Sequence, residues 1–144
     1  MNPMLIGLDV NDYDLTNLAF EKTPSLILDC NLGVNLFDHI DKADDFSKVY
    51  IIEIEMLYKF LNALQNLPTY IEDLNIKLLV ITNVKKLFDH GDEEETFYVF
   101  EQIWTLLKQH SKQIDILVGI KNKEQKIFAK KYCNSIQKIG THTT

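Results

Sequence analysis

A chain of 144 residues with 46% hydrophobic and 25% charged side chains, five Gly and three Pro, fits one domain with a sizeable core; disordered, collagen-like and linker compositions are excluded. No apolar run approaches the roughly 18 residues a membrane span needs, and the N-terminus has no basic start or small-residue cleavage site, so an intracellular protein is expected, nuclear if the source is eukaryotic and otherwise cytoplasmic. The net charge of −6 divides unevenly: residues 1–120 carry nine Lys against 20 acidic groups, whereas residues 121–144 carry six Lys against Glu124 alone.

In chain order, Met4–Leu8 (MLIGL) reads as a possible first strand. Ser25–Asp29 (SLILD), Val49–Ile54 (VYIIEI), Lys77–Ile81 (KLLVI) and Ile114–Ile120 (IDILVGI) are near-continuous Ile/Leu/Val runs. Runs of that kind suit strands covered on both faces, the mark of a parallel sheet. Between them, Met56, Phe60, Leu61, Leu64 and Leu67 recur at helical spacing until Pro68 ends the run. The strongest helix spans Glu93–His110: Asp92 and Glu95 suit its start, Glu93 and Glu94 suit the positive end of its dipole, and Phe97, Phe100, Ile103, Trp104 and Leu107 form its apolar face. Alternating strands and helices predict right-handed βαβ crossovers and a three-layer α/β domain with a mostly parallel sheet. One domain is expected over 1–144, with its core at about 25–120 and a basic extension at 121–144.

Residues of catalytic type do not assemble into a motif. Cys30 and Cys133 are far apart and lack a CxxC or Cys/His neighbourhood, so both are expected to be reduced packing residues. His39, His90, His110 and His142 form no HxxxH or HExxH pair, and His110 suits a helix C-terminus. The acidic run Asp92–Glu95 reads as a helix start rather than a metal site, and Asp29 reads first as a cap of the turn after its strand. No metal and no cofactor are expected.

The succession LILDCN (26–31), KVYIIEI (48–54), KLLVITN (77–83), Leu87-Phe88, a long helix, ILVGI and FAKKYCNSIQKI (128–139) resembles the second half of a RecA/RadA recombinase core. That resemblance implies a three-layer RecA-like fold truncated at the N-terminus, since only about 24 residues precede LILDCN and Met1–Thr23 looks too brief for a strand, a phosphate loop and a helix. The family's catalytic groups are missing. There is no GxxxxGK[ST], Thr82 stands at the Walker B Asp, Asn31 at the Glu that polarises water, and Lys121 near the polar residue ending the fifth strand.

These departures imply a noncatalytic pseudo-ATPase resembling the small subunits of the Shu complex. It would act as an accessory factor in homologous recombination and DNA repair by binding another RecA-like subunit. The alternatives are an Elongator-type scaffold without a DNA role and an α/β enzyme with an unrecognised site. Expected contact residues are Leu5, Ile6 and Leu8 and the neighbourhood of Phe37. Lys121, Lys123, Lys126, Lys130, Lys131 and Lys138 are a solvated face or a weak, nonspecific DNA contact. Because every basic residue but the histidines is Lys and none is Arg, bidentate reading of bases is not expected.

Overall fold

Strands that are apolar on both faces need helices on both sides, and the computed structural model of the chain, which describes residues 2–35, 38–39, 41, 47–84 and 93–138, supplies them. In chain order the elements are β1 (Leu5–Leu8), α1 (Asp12–Ala19), β2 (Ser25–Asp29), β3 (Val49–Glu53), α2 (Leu57–Gln65), α3 (Leu67–Leu74), β4 (Leu78–Ile81), α4 (Glu93–His110), β5 (Asp115–Gly119), α5 (Lys123–Tyr132) and β6 (Ser135–Gln137). Among the described residues the sheet has six strands in the order β3-β2-β4-β5-β1-β6, and every neighbouring pair is parallel. This is the expected three-layer α/β class, and its arrangement is consistent with a RecA-like core.

Register explains the layers. The row Leu5, Ile116, Leu79, Leu26, Tyr50 points to one side, where α2 to α5 bury Phe60, Leu64, Trp104 and Phe128. The next row, Ile6, Leu117, Val80, Ile27, Ile51, points to the other, where α1 packs Leu15, Ala19 and neighbouring Phe20. Among the described residues one face therefore carries four helices and the other α1. Inside the first cluster, Trp104 stacks at 6.2 Å on Phe128 and at 6.3 Å on Tyr132, so the two aromatics interleaved with the lysines pack the terminal helix.

Three expectations change at this level. The possible first strand is there, and α1, not expected from the sequence, follows it after only Asp9–Asn11, a link that leaves no room for a phosphate loop. Phe97 is 54% exposed and leaves the core to Val99, since it sits at the rim of α4, where it meets the Phe128 ring of α5. Pro68 does not merely stop a helix: it sits in the first turn of α3, where its missing N–H costs nothing. Asp92, Leu87, Phe88, His90 and His142 lie outside the described residues, as does Phe37.

Candidate functional site

Parallel α/β sheets bind ligands beyond the carboxyl ends of their strands, where adjacent connections leave for opposite faces. Here that point lies between β1, whose chain turns into α1 on one face, and β5, whose chain turns into α5 on the other. The geometry there is dominated by Asp12, which belongs to no sequence motif, and Asn83, the last residue of KLLVITN.

Asn83 follows β4 and spans the gap. Its Nδ2 donates to the Val10 carbonyl at 2.9 Å and to Asp12 Oδ1 at 2.8 Å, and its Oδ1 accepts from the Lys121 N–H at 3.0 Å. The loops after β1, β4 and β5 are thus tied through one amide. The side chain lies so close over β5 that a Cβ on Gly119 would come within 2.6 Å of Asn83 Oδ1 and 2.8 Å of Leu15 Cδ1, so a larger residue there would have to displace them.

Asp12 opens α1, whose cap is Asn11, its Oδ1 accepting from the Asp14 N–H at 2.8 Å. A helix N-terminus following a parallel strand offers free N–H groups and positive dipole to an anion. In this chain the first turn itself carries a carboxylate, that of Asp12. It accepts from the Asn83 backbone N–H at 2.8 Å through Oδ1 and from Asn31 Nδ2 at 2.7 Å through Oδ2.

The residues expected from the family pattern lie around this knot. Asp29 is 1% exposed and accepts backbone N–H groups from Asn31 (3.2 Å), Gly33 (3.3 Å) and Val34 (2.9 Å), the turn-capping role read from the sequence. The same turn holds Leu32 at φ 54°, a backbone conformation that side chains other than those of Gly, Asn and Asp rarely adopt. Thr82 is fully buried, and its Oγ1 accepts from the Cys30 N–H at 2.8 Å, tying β4 to the end of β2. Asn31 and Thr82 are therefore brought to one place, with the Asn31 amide nitrogen and the Thr82 hydroxyl turned to the protein's own groups.

Cys30 is buried, and desolvation, with Asp29 and Asp12 adding to it, holds its thiol well above the usual range. Burial likewise pushes Cys133 up to about 11, against the lowering influence of Lys108 and the Gly7 backbone. Both are free thiols. His39 lies buried under Tyr13, ring centroids 4.7 Å apart, with Nδ1 2.7 Å from Asn17 Oδ1; His110 Nε2 donates to the Leu64 carbonyl at 2.8 Å and joins α4 to α2. Among the described residues no group of three or more His, Cys, Asp or Glu is placed to hold a metal ion.

Lys123, Lys126, Lys130 and Lys131 lie along α5, Lys121 precedes it at the crevice and Lys138 follows β6. Lys121, Lys123, Lys130, Lys131 and Lys138 are exposed, Lys126 pairs with Asp9 at 3.2 Å, and Lys131 Nζ lies 5.3 Å from the Tyr132 ring centroid. Of the expected contact residues, Leu5 and Leu8 are 0% and 3% exposed, which corrects their assignment to a surface: β1 is an inner strand between β5 and β6. Ile6 is the exception. It lines an open groove of about 400 Å³ on the α1 face with Pro3, Met4, Leu18, Leu78 and Leu117, at the start of the strands, where among the described residues α1 does not cover the sheet. Among the described residues no helix is long and apolar enough to cross a membrane. Neither a protein-family model nor a curated protein matches the chain.

Proposed function

We propose that the chain is a noncatalytic RecA-like subunit that works by binding another protein, an accessory factor in homologous recombination and DNA repair whose partner is itself RecA-like. The observation that supports the noncatalytic part is how the chain's own groups tie up the crevice: Asp12 at the start of α1 accepts from Asn83 and Asn31, Asn83 spans the gap between β1 and β5, and the β1–α1 link has three residues. A phosphate loop needs eight residues of Gly-rich backbone ending in Lys and Ser/Thr. The support for partner binding is the α1 face, sparsely covered among the described residues, with Ile6 in its groove. The repair setting rests on the sequence resemblance.

The direct test is nucleotide titration. A ligand held at 100 times its Kd stabilises a fold by about 2.7 kcal/mol, or roughly 5–10 °C in Tm at this chain length. Differential scanning fluorimetry with Mg-ATP is expected to show no saturable shift, and a saturable one overturns the noncatalytic reading.

Any DNA contact on this reading is weak, nonspecific and carried by the lysines of 121–138. Each phosphate neutralised steepens log affinity against log salt by about 0.9 for duplex DNA, so six lysines set a ceiling near five. Replacing Lys126, Lys130 and Lys131 with Glu is expected to abolish retardation of duplex DNA in a gel-shift titration. Unchanged affinity removes the lysines from the contact.

A further inference from the structure

Edge strands present a row of unpaired backbone groups, and a protein either blunts such an edge or uses it to take up another strand. β6 is an edge of this sheet, paired with β1 on its inner side. β6 is short, three residues followed by Lys138, but its central side chain is apolar. Ile136 is 45% exposed and pairs in register with Gly7, the glycine that lets α5 approach, with Ala129 and Cys133 both 3.4 Å from where its Cβ would be. Cross-strand neighbours share a face, so Ile136 points to the α5 side of the sheet.

The flank of α5 above that strip is basic. Lys126 reaches Asp9, whose N–H donates to the Gln137 carbonyl of β6, so Lys126 lies on the β6 side of the helix. Lys130, one turn on and exposed, lies on the same flank. On the opposite face Ser135 pairs with Ile6 of the open groove, and its Oγ is buried without a hydrogen-bond partner.

We propose that the outer edge of β6 receives an extended, acidic strand of a partner protein, which the sheet takes up as a further strand. This rests on the reading of the chain as a binding subunit and gives that reading a surface and a chemistry. Backbone ladder bonds would supply affinity. Side chains on the α5 face would meet Ile136 and the two lysines, favouring alternation of apolar and carboxylate residues, while those on the other face would lie beside Ser135 and the groove. A second copy of this chain does not fit, because pairing two β6 edges would set lysines against lysines.

The test uses the whole chain and a labelled ten-residue peptide alternating Val with Glu, its Val/Lys counterpart, and a single-stranded oligothymidylate. Fluorescence anisotropy is expected to show tighter binding of the Glu peptide than of the other two probes, weakened at least about tenfold in the Lys126→Glu, Lys130→Glu variant. Amide exchange at 135–137 is expected to slow at least about tenfold on binding. Failure of the Glu peptide to bind, binding without that protection, or preference for the oligonucleotide overturns the proposal. Because Lys126→Glu also breaks the pair with Asp9, Lys130→Glu alone is the second variant, and unchanged peptide affinity in it likewise counts against the edge. Retention of a co-purified partner by the double variant overturns this edge while leaving the binding-subunit reading intact; a wild-type monomer that recovers no partner overturns that reading instead.

Discussion

Trp104→Ala is expected to be among the most destabilising single changes in the chain, at about 4 kcal/mol, the range for emptying a fully buried aromatic site. Trp104 is 1% exposed at the centre of α4, its ring nearly parallel to that of Phe128 (8°) and stacked on Tyr132, and its Nε1 donates to Gln125 Oε1 at 3.0 Å. Truncation removes the packing that seats α5 on α4 and leaves a buried amide oxygen without its donor. A domain of this length is held by only about 5–15 kcal/mol, so Tm should fall by roughly 8–16 °C. Urea unfolding followed by far-UV circular dichroism measures this, since the sole Trp is lost as a fluorophore. Trp104→Phe keeps most of the packing and is expected to cost about 1–3 kcal/mol, mainly for the orphaned Gln125 oxygen. A loss below about 1 kcal/mol in the alanine variant would mean that α5 is not seated through this ring.

The second large effect is expected at Asn83. Asn83→Ala deletes one acceptor and two donor contacts at a site 9% exposed, leaving the Val10 carbonyl and the Lys121 N–H without their partner. About 3 kcal/mol should be lost, because each buried group left unpaired costs about 1–3 kcal/mol and water entering the widened crevice recovers part of it. Asp12→Ala, which removes the carboxylate from the same knot, should not add to this: a double-mutant cycle should return a coupling of at least about 1 kcal/mol. Additive losses, measured by urea unfolding of the two single variants and the double, would show that Asp12 and Asn83 act separately and that the crevice is not held shut as one unit.

Local pattern carried much of the architecture. β2, β4 and β5 were readable because an inner parallel strand must be apolar on both faces, and SLILD, KLLVI and IDILVGI are too short and too uniformly apolar to suit an amphipathic helix or a half-exposed strand. The bounds of α4 were readable too, since acidic residues at its start, His110 at its end and an apolar stripe all agree. Asp29 could be read as a turn cap because its partners lie within five residues of it in the chain.

What local pattern could not carry depends on strand order. MLIGL says strand but not inner strand, so Leu5 and Leu8 looked available for contact until β5 and β6 were placed on either side of β1. Asp12 and Asn83 are 71 residues apart and individually ordinary, an acidic residue in a first turn and an amide after a strand. They meet only because β4 and β5 lie between β2 and β1, which brings the ends of sequence-distant strands within hydrogen-bond reach. Such contacts follow from how crossovers stack strands side by side, and no periodicity along the chain encodes that order.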